Sequence, residues 1–257
     1  MTEDPKSAEL EERQRLEAAL WDEYVHRPGL NEDLTVHLLP PHWLEPKLRW
    51  AFDALGDVKG KRILDYGCGT GRSAVYLAKM GAMTCGFDIS PESIAIARRR
   101  AEVNGVAELT NFQVMGGERL EYADESFDII FGQSILHHIV LDLATPEMRR
   151  VLRPGGIGVF LEPQGTNPLI TFVRAFVPYP GKKVHGTDRP LTRRDIRLLE
   201  GVFSKVEWQS FDLFTGVEKL IGFRRRFPLL WKLDRALLRG LPFLWWLAIY
   251  MGVKVTR

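Results

Sequence analysis

Three glycines at alternate positions, Gly67, Gly69 and Gly71, follow an apolar run in the segment Ile63-Leu64-Asp65-Tyr66-Gly67-Cys68-Gly69-Thr70-Gly71-Arg72. Glycine lets a backbone turn sharply and leaves room for a ligand to lie against it. A second apolar run, Met83 to Ile89, carries a carboxylate at its end, Asp88. An acid about 20 residues past such a loop is placed to hold ribose hydroxyls at the edge of an α/β sheet. Together the two features predict a nucleoside site. Spacing narrows the nucleoside. The dinucleotide fingerprint G-x-G-x-x-G needs a glycine where this chain has Arg72. Asp65, just before the loop, would repel a pyrophosphate and suits an ammonium or sulfonium group. The chemistry predicted is recognition of a cationic, phosphate-free nucleoside.

The elements that position these residues alternate as in a doubly wound sheet. Strands are predicted over Arg62–Tyr66, Met83–Asp88, Leu109–Met115, Phe127–Gly132 and Ile157–Leu161, with helices over Arg72–Met80, from Ser90-Pro91 onward, and over Asp142–Val151. Ser90 reads as a helix cap with proline in the first turn. Upstream, Ser7–Val25 and Trp43–Leu55 have helical spacing. Downstream the rhythm changes. Residues 163–190 are rich in proline and glycine, Thr192–Glu200 reads as a capped helix, Lys205–Phe214 as a strand, Gly216–Arg239 as a basic amphipathic stretch and Trp245–Thr256 as the last strand.

The 257 residues suffice for one substantial core, and 45% apolar with 26% charged residues is ordinary for a globular protein. A formal net charge of +2 provides no extended basic field, so no nucleic-acid partner is expected. Cys68 and Cys85 make neither a disulfide framework nor a metal site, and no metal is expected; a cytoplasmic setting fits them. The polar N-terminus is unlike a secretory signal, and no apolar run is long enough to span a bilayer.

The glycine loop resembles motif I of the class I S-adenosylmethionine (SAM)-dependent methyltransferases, and residues 60–161 resemble that family element by element. Gly116-Gly117-Glu118-Arg119-Leu120 through Ser126-Phe127-Asp128 is similar to its G-D-A-E-x-L…S-F-D segment, and Leu152-Arg153-Pro154-Gly155-Gly156 to its turn before strand five. The resemblance implies a seven-stranded Rossmann-like sheet with the last strand antiparallel. It implies residues 1–57 as a helical lid and 58–257 as the SAM-binding domain, with acceptor-specificity insertions at about 163–191 and 216–243. It implies a cofactor shell of Asp65, Gly67, Gly69, Gly71, Asp88 on the ribose, Ile89 on the adenine, Gly117, Glu118 and Gln133, with Tyr24 of the lid either closing over SAM or packing on Trp21. Gly116 departs from the family's usual aspartate, so backbone near Gly117 and Glu118 is assigned the adenine contact.

For catalysis the resemblance points to Gln133-Ser134-Ile135-Leu136-His137-His138, beside the methionine part of SAM. The N/D-P-P-Y/F motif of base N-methylation is missing here, which favours a small-molecule acceptor. His138, ahead of His137, is the expected general base, the other being structural. Glu162 is a further base or a holder of a cationic acceptor; His185 with Asp188 is weighed and read as loop. The Arg- and Trp-rich segment from Phe223 to Trp246 is read first as a roof over the acceptor pocket, as similar family members place their specificity elements there, and second as a contact with anionic membrane. Three functions follow: methylation of a small, partly hydrophobic acceptor by O-, N- or C-transfer; a membrane-associated methyltransferase of a quinone, sterol or lipid headgroup; and a non-catalytic SAM-binding sensor or scaffold.

Overall fold

Alternation along β1 (Arg62–Tyr66) sets the layering, because successive side chains of a strand point to opposite faces. The computed structural model describes residues 5–39, 45–165, 167, 190–213 and 228–257. Ile63 joins a core with Ile129, Phe131, Val159 and Leu161 from neighbouring strands and Ala51, Leu55 and Leu77 from helices. Leu64 and Tyr66 join the opposite core, with Leu141, Ala144, Met148, Ile196 and Leu199. Helices therefore cover both faces of one sheet.

The sheet has seven strands in the order β3-β2-β1-β4-β5-β7-β6. The other strands are β2 (Met83–Asp88), β3 (Thr110–Val114), β4 (Phe127–Gln133), β5 (Leu152–Pro163), β6 (Lys205–Phe211) and β7 (Tyr250–Thr256). Strands β1 to β5 pair in parallel, and β7 runs antiparallel to both β5 and β6. This is the doubly wound sheet with an antiparallel last strand that the sequence suggested. The order reverses at β1, where β2 and β4 flank it, so the crevice at its carboxyl end is where such sheets bind ligands.

Seven helices dress the sheet: α1 (Pro5–Val25), α2 (Pro46–Leu55), α3 (Arg72–Lys79), α4 (Pro91–Val103), α5 (Leu141–Val151), α6 (Arg193–Glu200) and α7 (Pro228–Gly240) among the described residues. Ser90 caps α4 by accepting from the Ser93 N–H at 2.9 Å. The Thr192 N–H and hydroxyl both donate to Asp195 at the start of α6.

Several boundaries differ from expectation. β5 starts at Leu152 because Pro154-Gly155-Gly156 is absorbed as a register slip against β4 between Phe127 and Ile129. β6 ends at Phe211, since Asp212 turns the chain with φ 61°. The apolar run Trp245–Leu247 lies not in β7 but in a 3-10 segment, Pro242–Leu247, opened by its proline. The N-terminal helices also divide: α2 packs on β5 and β7, leaving α1, which packs on α4, as the helix over the crevice. Trp43, His185, Asp188 and Phe223 to Phe227, with most of the two expected insertions, lie outside the described residues.

Candidate functional site

The carboxyl ends of β1, β2 and β4 open into a cleft of about 340 Å³. Its floor is the glycine loop. Gly71 caps α3 with φ 75°, a left-handed conformation that L side chains rarely adopt. A Cβ there would lie 2.7 Å from Ala97 Cβ, so this glycine serves the α3–α4 contact. Gly69, at φ 49°, has open space where its Cβ would be. The loop closes on β2 through Cys68 N–H to the Phe87 carbonyl, 2.8 Å.

Asp88 ends β2 facing this loop. Its Oδ2 accepts from the Gly69 N–H at 2.9 Å and its Oδ1 from the Ser90 N–H at 3.0 Å. Burial raises its pKa, against the pull of those two amides and of nearby His138. Both oxygens keep a lone pair for a further donor. Asp65 lies one residue before the end of β1, just ahead of the loop. Burial pushes its carboxyl up to about 7, the Ala74 N–H opposing and Asp88 adding to the rise. Its Oδ2 is buried without a hydrogen-bond partner. Two acids facing one cleft, one of them with an unanswered oxygen, define a place for a cation bearing hydroxyls. Burial also holds the Cys68 thiol well above its ordinary pKa, which leaves it an unreactive lining residue.

The wall beyond β4 carries Gln133, Ser134, Ile135, His138 and Ile139. Ser134 sits at φ 57°, a strained conformation for a non-glycine residue, and its N–H is held by the Leu161 carbonyl at 2.8 Å. His137 turns away into the protein, its Nδ1 2.7 Å from Glu162 Oε2. Glu162 is fully buried, and its Oε1 accepts from the N–H groups of Ile135 and Leu136, each at 2.9 Å. It fixes the turn after β4 from below.

Helix α1 forms the roof, with Glu17, Trp21 and Tyr24 lining the cleft. Trp21 meets the edges of both Tyr24 and His138. Glu17 Oε1 lies 3.8 Å from His138 Nδ1. The roof is fastened at several points. Arg13 donates to the His138 carbonyl, Gln14 to Glu118 Oε2 at 2.7 Å, and Asp22 accepts from the Ser90 hydroxyl at 2.5 Å and the Glu92 N–H at 3.2 Å. Glu118 Oε1 accepts from the Val140 N–H at 3.0 Å, so its carboxylate is committed to the roof and the turn. Gly117 packs against the Tyr66 ring, whose hydroxyl donates to the Gly117 carbonyl.

Of the residues expected at the site, Asp65, Gly67, Gly69, Asp88, Ile89, Gln133, Tyr24 and His138 line one cleft. Gly71, Gly117, Glu118, His137 and Glu162 stand behind that lining. Glu17, Gln14, Arg13 and Arg100 were missed. Arg100 of α4, fully buried, donates to the carbonyl and hydroxyl of loop residue Thr70 and, at 3.0 Å, to Asn31 Oδ1. Asn31 in turn donates to the Val25 carbonyl at the end of α1, 2.8 Å. Their signal in sequence is faint, because each reads as a charged or polar residue on a solvated helix face. No group of three or more His, Cys, Asp or Glu fit to hold a metal occurs among the described residues.

Residues 64–160 match the family described as a methyltransferase domain. Methyltransferase GfsG of Streptomyces halstedii is 38% identical over 107 residues, 41% of this chain and 38% of that protein. A ubiquinone biosynthesis O-methyltransferase of Agrobacterium fabrum is 36% identical over 101 residues, 39% of this chain and 40% of that protein. The chain thus spans about two fifths of the length of these relatives. Among solved structures, a geranyl diphosphate methyltransferase in complex with GPP and sinefungin superposes with a TM-score of 0.65 at 17% identity, over 95% of this chain and 99% of that one.

Proposed function

We propose that this chain, whose residues 64–160 match a methyltransferase-domain family, is a class I SAM-dependent methyltransferase that methylates a small, partly apolar organic acceptor, with S-adenosylhomocysteine as the second product. The observation that carries the reading is the pair of acids across one cleft: Asp88, held by the Gly69 and Ser90 amides, and Asp65, with its unpartnered Oδ2. Asp88 has acceptor capacity left for two ribose hydroxyls, and Asp65 answers a positive charge. SAM fits both, and when bound it supplies a methyl group made electrophilic by sulfonium.

The chain's own part is alignment, exclusion of water and removal of a proton. Trp21 and Tyr24 cover the cleft from α1. His138, on the lining and near Glu17, takes the proton of a hydroxyl or carbon acid. His137 and Glu162 hold the turn that presents it. Relatives named for ubiquinone biosynthesis and a fold neighbour named for geranyl diphosphate support an acceptor with apolar character. The free thiols of Cys68 and Cys85 suit a reducing, cytoplasmic setting.

Incubation with methyl-labelled SAM and a panel of phenols, quinones and isoprenoids tests the reading. Label in an organic product supports it. Tight SAM binding without label in any product supports a sensor or scaffold, and no SAM binding by calorimetry overturns the site assignment. Replacing Asp88 by alanine should weaken SAM roughly 10- to 100-fold, the loss of charge-assisted bonds to the ribose.

A further inference from the structure

Away from the cleft, helix α7 and the 3-10 segment Pro242–Leu247 pack together and carry an unusual surface. Phe243 is 63% exposed, Leu233 46%, Leu241 41% and Trp246 39%. Single exposed apolar side chains are common, but large ones gathered on two adjoining elements mark a contact surface. The charged residues between Leu230 and Ile249 are Lys232, Asp234, Arg235 and Arg239. Asp234, the single acid, is buried and accepts from the Leu213 N–H at 3.0 Å. Lys232, Arg235 and Arg239 are exposed, so every exposed charge of this stretch is positive. Spacings of three and four place these cations along one side of the helix, with Leu233 and Leu237 along another. On the adjoining β6 edge, exposed Trp208 meets Trp245 edge-on, and the exposed Arg193 guanidinium lies 4.4 Å over the Trp245 ring.

We propose that this surface is a peripheral membrane-binding face for a bilayer containing anionic lipid. The combination of large apolar side chains, tryptophan and exposed basic residues suits the boundary between headgroups and acyl chains. Among the described residues no helix is long and apolar enough to cross a membrane, and the proposed contact is with the surface of one leaflet. A second copy of the chain is the poorer occupant, because a two-fold contact through the same patch sets its cations against themselves.

Flotation of the whole protein with vesicles tests this directly. Vesicles of phosphatidylcholine mixed with phosphatidylglycerol should bind it at least tenfold better than phosphatidylcholine alone, and added salt should erase most of that difference. Each arginine removed should cost about fivefold, so Arg235→Gln with Arg239→Gln should lower partitioning roughly 25-fold. Phe243→Ser should lower it about tenfold at every salt concentration. Calorimetry of S-adenosylhomocysteine with the same variants should give unchanged affinity, which separates this surface from the cleft and from the methyltransferase reading. Equal binding to both vesicle types, no binding to either, or self-association in sedimentation that Phe243→Ser abolishes would each overturn the proposal.

Discussion

His137 Nδ1 lies 2.7 Å from Glu162 Oε2 in a buried pair, one residue before the histidine that lines the cleft. Adjacent histidines thus have different surroundings, one facing the protein interior and one facing the cleft. Glu162 also answers the Ile135 and Leu136 amides, so its carboxylate gathers three donors. Glu162→Ala leaves all three unpaired and should cost about 3–5 kcal/mol of stability by urea denaturation. Glu162→Gln keeps a carbonyl acceptor and the packing, and should cost less than half as much. A Glu162→Ala protein as stable as the parent would remove the positioning role.

The two histidines should separate by assay. His138→Ala is expected to lower turnover about 10²–10⁴-fold with little change in stability, the range for losing a general base. His137→Ala should show the reverse weighting, a lower melting temperature with the smaller kinetic defect. Equal kinetic loss in both would reassign the proton transfer.

Asp65 predicts a pH dependence of fixed sign. Its folded pKa is about 7, chiefly through burial, whereas an unfolded aspartate ionises at about 3.9. The folded state therefore holds the proton more tightly. The stabilisation is full below about pH 4 and is lost as pH rises through about 7. Thermal stability of the ligand-free protein should fall across that window, and Asp65→Asn should flatten the part of the slope this residue contributes. Affinity for SAM should move the other way, strengthening as pH rises through about 7, because a cation is held by the ionised form. Calorimetric titrations at several pH values check both signs.

Much of the sheet and of the cleft floor was legible in sequence, and the reason is local. β1, the loop and β2 follow from apolar runs, glycine and a carboxylate that each act within a few residues. Gly69 and Gly71 looked equivalent because sequence shows the need for a turn but not what stands opposite it. Ala97 of α4 does that for Gly71. Glu17, Gln14 and Arg100 were illegible for a related reason. Their partners His138, Glu118 and Thr70 are brought up only by packing of α1 and α4. Trp245–Leu247 reads as strand because an apolar aromatic run suits a strand as well as a 3-10 turn, and the Pro242 that opens the turn stands three residues earlier.

The difference between the two glycines can be measured. Gly71→Ala must hold a left-handed backbone and move the Ala97 contact on α4, and should destabilise the protein by about 2–4 kcal/mol. Gly69→Ala meets no neighbour and pays only the backbone cost, about 1 kcal/mol. Its methyl group points into open space, so any loss of SAM affinity there reports a ligand against the loop. Equal destabilisation by the two changes would contradict the packing role of Gly71.

Arg100 links the loop to the roof. Burial, aided by the charge of Arg72 and opposed by Asp33, lowers its pKa to about 10, so it stays charged at neutral pH. Its Nη1 donates to Thr70 and its Nη2 to Asn31, while its Nε is buried without a partner, and Asn31 holds the end of α1 at Val25. Arg100→Met should leave those acceptors unpaired, costing about 3 kcal/mol, and should also weaken SAM because the loop and α1 are no longer held together. Asn31→Ala breaks the same chain one link later, so the two losses in SAM affinity should be less than additive, with a coupling of about 1 kcal/mol. Arg100→Lys, whose ammonium lacks the planar fork, should restore the Thr70 contact without the Asn31 one and fall between parent and Arg100→Met. Strict additivity of the Arg100 and Asn31 effects on affinity would show that the guanidinium supports the fold alone and carries nothing between loop and roof.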